Sequence, residues 1–364
     1  MSSLQDLASI MFFSSYRSSD NGHLRSESDA VAGEKATIAS PLNPDLVFPD
    51  DAFAAVLWIL FWAATHMVVM RGVIKPLASY LIPTPTVLLK SARLESANAL
   101  ARKQEPVHAK LRQRNPSTEA QTGQSDAQSQ APHAASQQID QLTKERAKLQ
   151  LAMWKCFTYV LTVMVGVYTL SRDVWWKEPE LYFKGYPHLT TRTMKVYYNI
   201  GFGNYAYQLY TLFYEPKQSD FWAMFTHHIC TLVVMGVSYS ASFTRIGAVI
   251  LLLHDLADPI MEFAKCWLYC KQQMMADIFF GIFAFTFLVT RNFIFPYYVI
   301  SACIPYGLYE DGARMPRGYA EYFWICVACL WLLQALNLNW GYLICKMVVK
   351  TLTAGKVEKD IRDD

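Results

Sequence analysis

Residues 247–265 read "GAVILLLHDLADPIMEFAK". The first half is a run of aliphatic side chains suited to a membrane interior. The second half puts His254, Asp255, Asp258, Glu262 and Lys265 into the same stretch. Lipid offers such groups no water, and each ionised side chain at membrane depth costs at least about 2.5 kcal/mol. An α-helix turns about 100° per residue; with His254 at zero, Lys265 falls near 20°, Asp258 near 40°, Glu262 near 80° and Asp255 near 100°. The five ionisable groups share one arc, and Leu252, Leu253, Leu256, Ala257, Phe263 and Ala264 fill the remainder. This polar stripe is predicted to face a cavity or other helices rather than lipid. Pro259 has no N–H to give to the carbonyl of Asp255, which favours a local kink.

The whole chain suits a membrane. Of 364 residues, 53% are hydrophobic and only 17% charged, where a soluble domain carries about 25% charge. The formal net charge of +3 is small, and no Lys/Arg cluster is interleaved with aromatics, so nucleic acid is not an expected partner. The eight cysteines lie mostly in apolar runs; "CVAC" at 326–329 has no partner pair and reads as small packing residues. Residues 14–50 are polar, unlike a cleaved signal peptide, so the first apolar span is expected to serve as the targeting signal.

A span needs about 20 mostly apolar residues. Seven segments qualify, near 52–70, 152–170, 194–214, 221–240, 246–267, 276–300 and 320–348. The third is the most polar, with Asn199, Asn204 and Gln208 among its tyrosines. The expected fold is an all-α polytopic membrane protein of about seven transmembrane helices. Its expected parts are a polar lumenal segment (1–50), a first transmembrane helix with a membrane-surface segment (51–94), a cytosolic loop (95–148), the main transmembrane domain (149–350) and a tail (351–364). The membrane-surface reading follows from three prolines in "IKPLASYLIPTPTVLL", residues 74–89. The loop is rich in Gln, Ser and Ala, cannot bury enough apolar surface, and is predicted to be disordered. Twelve Lys and Arg between Arg71 and Lys148 place that loop in the cytosol, the N-terminus in the lumen and the basic C-terminus in the cytosol.

The fourth span carries a second polar face. With His227 at zero, Asp220 and Ser238 fall near 20°, Thr231 near 40° and His228 near 100°. Adjacent histidines cannot point the same way on a helix, so His227 and His228 are expected to differ in role. The HxxxH and HxxHH boxes of membrane di-iron enzymes are absent, and no metal site is expected. His66 reads as a packing residue. Arg291, in "FLVTRNFIF" (287–295), lies nine residues from Ile300, and Asp255 lies nine from Ile246. Both sit about 13 Å below the lumenal face if the helices are regular, so Arg291 is predicted to pair with Asp255.

Four stretches carry a family resemblance. "SDFWAMFTHHICTLVVMGVSYSASFTRIGAVILLLHDLADPIMEFAK" (219–265) resembles the Lag motif of ceramide synthases, within the TRAM-Lag-CLN8 (TLC) domain. "WWKEPELYFKGYPHLTTRTMKVYYNIGFGNYAYQL" (175–209), "FAFTFLVTRNFIFP" (283–296) and "WLLQALNLNWGYLICKM" (331–347) resemble that family's lumenal loop and later spans, so the likeness runs over about 150–348. It implies a TLC-type helical bundle in the endoplasmic reticulum membrane. It also implies transfer of a fatty acyl chain from acyl-CoA, a substrate rather than a cofactor, to the amine of a sphingoid base, giving ceramide. Carried over by position, the catalytic residues are His227, His228, Asp255 and Asp258, with His254, Arg291, Glu262, Thr231 and Asn204 binding substrate or supporting. The resemblance allows a homo- or hetero-dimer. The homeobox-like segment of many animal members is absent, and Pro259 stands where the family has an aliphatic residue.

The residue types suit that chemistry. A thioester is an activated acyl donor, while the amine must lose a proton before it attacks, and histidine has the right unperturbed basicity to take it. A histidine could instead attack the thioester itself and pass the acyl group on. Either way a carboxylate would orient the imidazole. His227 lies seven residues beyond Asp220, about 10 Å into the membrane from the cytosolic side. The alternative is a TLC-domain protein without catalysis, one that binds or senses lipid or assists a translocon.

Overall fold

The computed structural model describes residues 50–83, 122–188, 190–307, 309–310, 313–314 and 319–354, with four isolated positions between 90 and 97. Eight helices organise this part of the chain: α1 (Asp50–Leu81), α2 (Thr122–Ser171), α3 (Arg192–Thr211), α4 (Phe221–Ser240), α5 (Thr244–Asp255), α6 (Asp258–Tyr269), α7 (Gln273–Gly307) and α8 (Tyr319–Ala354). A two-residue antiparallel pair, Tyr309–Glu310 with Ala313–Arg314, lies between α7 and α8. The protein is an all-α, multi-pass membrane protein.

Among the described residues five helical stretches are long and apolar enough to cross a membrane: α1, the Ser136–Ser171 part of α2, α4, α7 and α8. The other two expected spans differ for physical reasons. α3 carries its amides along a Tyr-rich surface, and nearly all of its inner face is covered by other helices. The span read near 246–267 is not one helix but two of 12 residues each. Pro259 sits in the first turn of α6, where a missing N–H costs nothing, and the chain bends through Leu256 and Ala257.

Two further expectations change. α1 does not end near residue 70 but passes through a wider π turn at Met70–Ile74 and continues to Leu81. There Ala78 and Ile82 pack on Leu149 of α2, and Arg146 Nε donates to Ile82 O at 3.1 Å. The segment 95–148, read as disordered, is helical from Thr122 onward. Its lower turns gain partners that composition cannot show, with Leu142 packed against the cluster of Ala78, Ile82 and Leu149 and Lys271 of the α6–α7 turn paired to Glu145 at 2.7 Å. Residues 1–49 and 355–364 lie outside the described residues.

Close approach of α3 to α1 sets one wall of the bundle. A Cβ on Gly203 would meet the Trp58 backbone at 2.9 Å, so only glycine permits this spacing. Trp62 Nε1 then donates to Ile200 O at 3.0 Å across the same seam. His66 packs beside it, its ring 4.5 Å from that of Trp154 and its Nδ1 on the Tyr207 hydroxyl. At the other end of α3, two short 3₁₀ turns (Trp175–Lys177 and Pro179–Tyr182) cap the bundle. Tyr186 Oη donates to Ala241 O at 2.9 Å, and Arg245 Nη1 donates to Leu181 O at 3.1 Å. Beneath them Phe183, Phe243, Tyr319 and Phe323 form an aromatic cluster, with Tyr319 stacked on Phe323 and the other contacts edge-on.

Candidate active site

A cavity of about 140 Å³ opens between α4, α6, α7 and α8. Its inner end is polar, with Tyr159, Tyr205, His227, His228, Asp258 and Arg291. Its body is apolar, walled by Met261, Phe280, Phe283, Phe287, Leu343 and Ile344, and it reaches toward the α6–α7 turn past Lys265 and Leu268. A groove with a polar end and apolar walls suits an amphiphile whose reacting group sits at the histidines.

His227 and His228 are 100° apart on α4 and face different surroundings, as their spacing requires. His228 Nδ1 lies 2.7 Å from Met224 O, which only accepts, so it carries hydrogen and donates. Its Nε2 faces the Gln208 amide at 3.4 Å, and Tyr159 Oη donates to the same amide oxygen at 2.8 Å. With its hydrogen on Nδ1, His228 turns the lone pair of Nε2 toward the Gln208 side chain. His227 is held by rings instead. His254 stacks on it with centroids 6.2 Å apart, Trp340 meets it edge-on at 5.5 Å, and Tyr205 lies 6.3 Å away. Its Nδ1 has no hydrogen-bond partner among the described residues, although the side chain is buried. Trp340 is itself fixed, since its Nε1 donates to Asp220 Oδ2 at 3.2 Å.

The two aspartates separate because the helix breaks between them. Asp255, at the end of α5, is fully buried and turns toward α3, where Tyr205 Oη donates to its Oδ1 at 2.5 Å. Asp258 opens α6, where the helix dipole favours an anion. It faces the cavity and pairs with Arg291, Nη2 to Oδ1 2.8 Å. The expected Arg291–Asp255 pair is therefore replaced by Arg291–Asp258. The depth count assumed regular helices. In fact α5 and α6 are separated by a bend, and residues 288–300 of α7 are π-helical, so the α-helical rise per residue does not apply there. The same guanidinium donates to the main-chain carbonyl of His254 and lies over the Phe287 ring at 4.7 Å. An arginine buried this deeply is tolerated because its charge is paired.

The remaining sequence-derived residues scatter. Glu262 is buried and holds Lys265, at 2.9 Å, where the cavity widens. Thr231 lines a separate void of about 20 Å³ shared with Tyr205 and His254. Asn204 is fully buried, and among the described residues neither amide atom has a hydrogen-bond partner; it lines none of the described cavities. The single arc of five ionisable groups thus resolves into three directions, with Asp255 toward α3, Asp258 toward α7, and Glu262 tied to Lys265. Tyr159, Tyr205, Gln208, Trp340 and Asn337 belong to the site and were not singled out by the sequence reading. Tyr205 and Gln208, three apart on α3, share a helix face, which is the one signal that could have joined them. Among the described residues no group of His, Cys, Asp and Glu converges as a metal-ligand set.

The family model of the TLC domain matches residues 148–346, more than half of the chain and every cavity-lining residue except Met347. The chain belongs to the TLC domain family. Its relatives include ceramide synthase LOH2 of Arabidopsis thaliana, 34% identical over 60% of this chain and 74% of that protein. ASC1-like protein 3 of Oryza sativa subsp. japonica is 31% identical over 60% of this chain and 77% of its own length. Human ceramide synthase 4 is 32% identical over 62% of this chain, which covers 55% of it. The double histidine and both aspartates fall inside the residues that the family model matches.

Proposed function

We propose that this TLC-domain protein is a ceramide synthase of the endoplasmic reticulum membrane. It would transfer a fatty acyl chain from acyl-CoA to the amine of a sphingoid base. The observation that carries the reading is His227, a buried imidazole that lines the polar end of an apolar-walled cavity and whose Nδ1 has no hydrogen-bond partner among the described residues. A lipid-binding protein without catalysis has no use for such a group. The relatives named as ceramide synthases point the same way.

The reaction can run through His227 by two routes. As a base it takes a proton from the amine, whose nitrogen attacks the thioester carbon; the C–S bond breaks and the proton passes to the leaving thiolate. As a nucleophile its nitrogen bonds the acyl carbon and expels the thiolate; the amine then attacks, the acyl–imidazole bond breaks and His227 is regenerated. In both, CoA leaves as a thiol and an amide forms. His228 is held by Met224 and Gln208 and serves to orient, and Asp258 with Arg291 balances the charge that develops at the polar end. The thioester would come from the side of the α6–α7 turn, which the Lys/Arg distribution assigns to the cytosol, with the N-terminus lumenal and the C-terminus cytosolic.

The purified protein, given acyl-CoA and sphinganine, is expected to yield ceramide and free thiol in equal amounts. Retention of sphinganine or acyl chains without either product would favour the non-catalytic lipid-binding alternative.

A further inference from the structure

His254 is enclosed on every side, and its hydrogen bonds define its protonation. Its Nδ1 lies 2.9 Å from Ile250 O, which can only accept, so Nδ1 carries hydrogen. Its Nε2 faces the Asn337 amide at 3.3 Å. In a neutral ring that nitrogen bears the lone pair, so Asn337 must present its N–H₂ there. Asn337 is fully buried on α8, and its other amide atom, Oδ1, has no partner among the described residues. An amide in a protein interior normally satisfies both ends. Among the described residues the one side-chain bond it makes is to His254.

The charged and titratable groups around this ring come from α3, α4, α5 and α7. His227 of α4 stacks on its face, Arg291 of α7 bonds its main-chain carbonyl, Tyr205 of α3 shares the small void beside it, and Asp255 follows it in the chain. Among the described residues no carboxylate reaches either ring nitrogen. Whichever route His227 takes, it becomes positively charged, either protonated or acylated. A neutral imidazole stacked beneath it offers its π face to that charge, whereas a cation would repel it.

We propose that Asn337 is a positioning residue that keeps His254 a neutral imidazole, so that the stacked His227 can bear the charge of acyl transfer. The proposal rests on the reading of His227 given above. Asn337 touches no reacting atom and acts only through His254.

The test is the pH dependence of ceramide formation by the full chain in membranes, between about pH 5.5 and 9. Asn337→Asp replaces the donor by an acceptor and draws a second proton onto His254. Its rate is expected to fall about 10²-fold at pH 7 and to climb with pH where the unaltered protein is flat. Asn337→Leu keeps the volume, leaves Nε2 open to a proton, and should move the acid limb in the same direction by less. Should the aspartate variant not accumulate, the leucine variant decides alone. Profiles of unchanged shape, merely scaled down or unaltered, would overturn the proposal and leave Asn337 a packing residue. Absence of ceramide from the unaltered protein at every pH would instead remove the acyltransferase reading on which it rests.

Discussion

At the scale of single residues, hydrogen bonding distinguishes histidines that the sequence leaves equivalent. His228 and His254 each give one N–H to the carbonyl four residues back and present the other nitrogen to an amide. His227 Nδ1, by contrast, has no hydrogen-bond partner among the described residues. The presence of the site was legible in the sequence, because His, Asp and Arg in apolar spans carry a cost that demands an explanation. The partners were not. Gln208, Tyr205 and Asn337 lie on α3 and α8, and nothing local ties them to the double histidine. The pairing of Arg291 gives a direct check. A double-mutant cycle between Arg291 and Asp258, read by thermal unfolding in detergent, is expected to show coupling of about 1–3 kcal/mol. The same cycle between Arg291 and Asp255 should give values near zero, and the reverse order would restore the pairing expected from depth alone.

At the scale of elements, the break between α5 and α6 decides the geometry. Helical periodicity grouped five ionisable residues on one face, which holds only for an unbroken helix. Pro259 announced a kink but not its size, since a proline in the first turn of a helix and a proline inside one read alike in sequence. The bend frees Asp258 to open a helix facing Arg291. Replacing Pro259 by leucine is expected to let α5 run on into α6 and to lower acyl transfer roughly tenfold while the protein stays folded. Unchanged activity would mean that the bend survives without the proline. The seam between α1 and α3 is a packing matter of another kind. Gly203→Val is expected to destabilise the bundle by about 1–3 kcal/mol, seen as a lower unfolding temperature.

At the scale of the whole molecule, the all-α membrane fold followed from composition and span length, but the cavity did not, because its lining is gathered from six helices between residues 159 and 347. The cap of 3₁₀ turns gives a pH signature separate from the chemistry. His188 is buried against Lys184 O, and burial pushes its imidazole down to about 4. A group held neutral in the fold takes up a proton on unfolding, so the stability it contributes is present above its ordinary value of 6.5 and is lost as pH falls toward 4. The unfolding temperature of the solubilised protein is expected to drop across that window, and His188→Asn to flatten the drop. Orientation can be read in sealed microsomes, using a background without the native cysteines. Cysteine at Lys271, in the α6–α7 turn, should react with an impermeant maleimide, and cysteine at Lys177, in the cap, should not. The central claim, that His227 is the group through which acyl transfer runs, is tested most directly by one measurement. This is the rate of ceramide formation by purified His227→Ala at the same amount of folded protein as the unaltered chain. The expected result is a loss of about 10²-fold or more with lipid binding retained. Ceramide formed by His227→Ala at the rate of the unaltered protein would contradict the account.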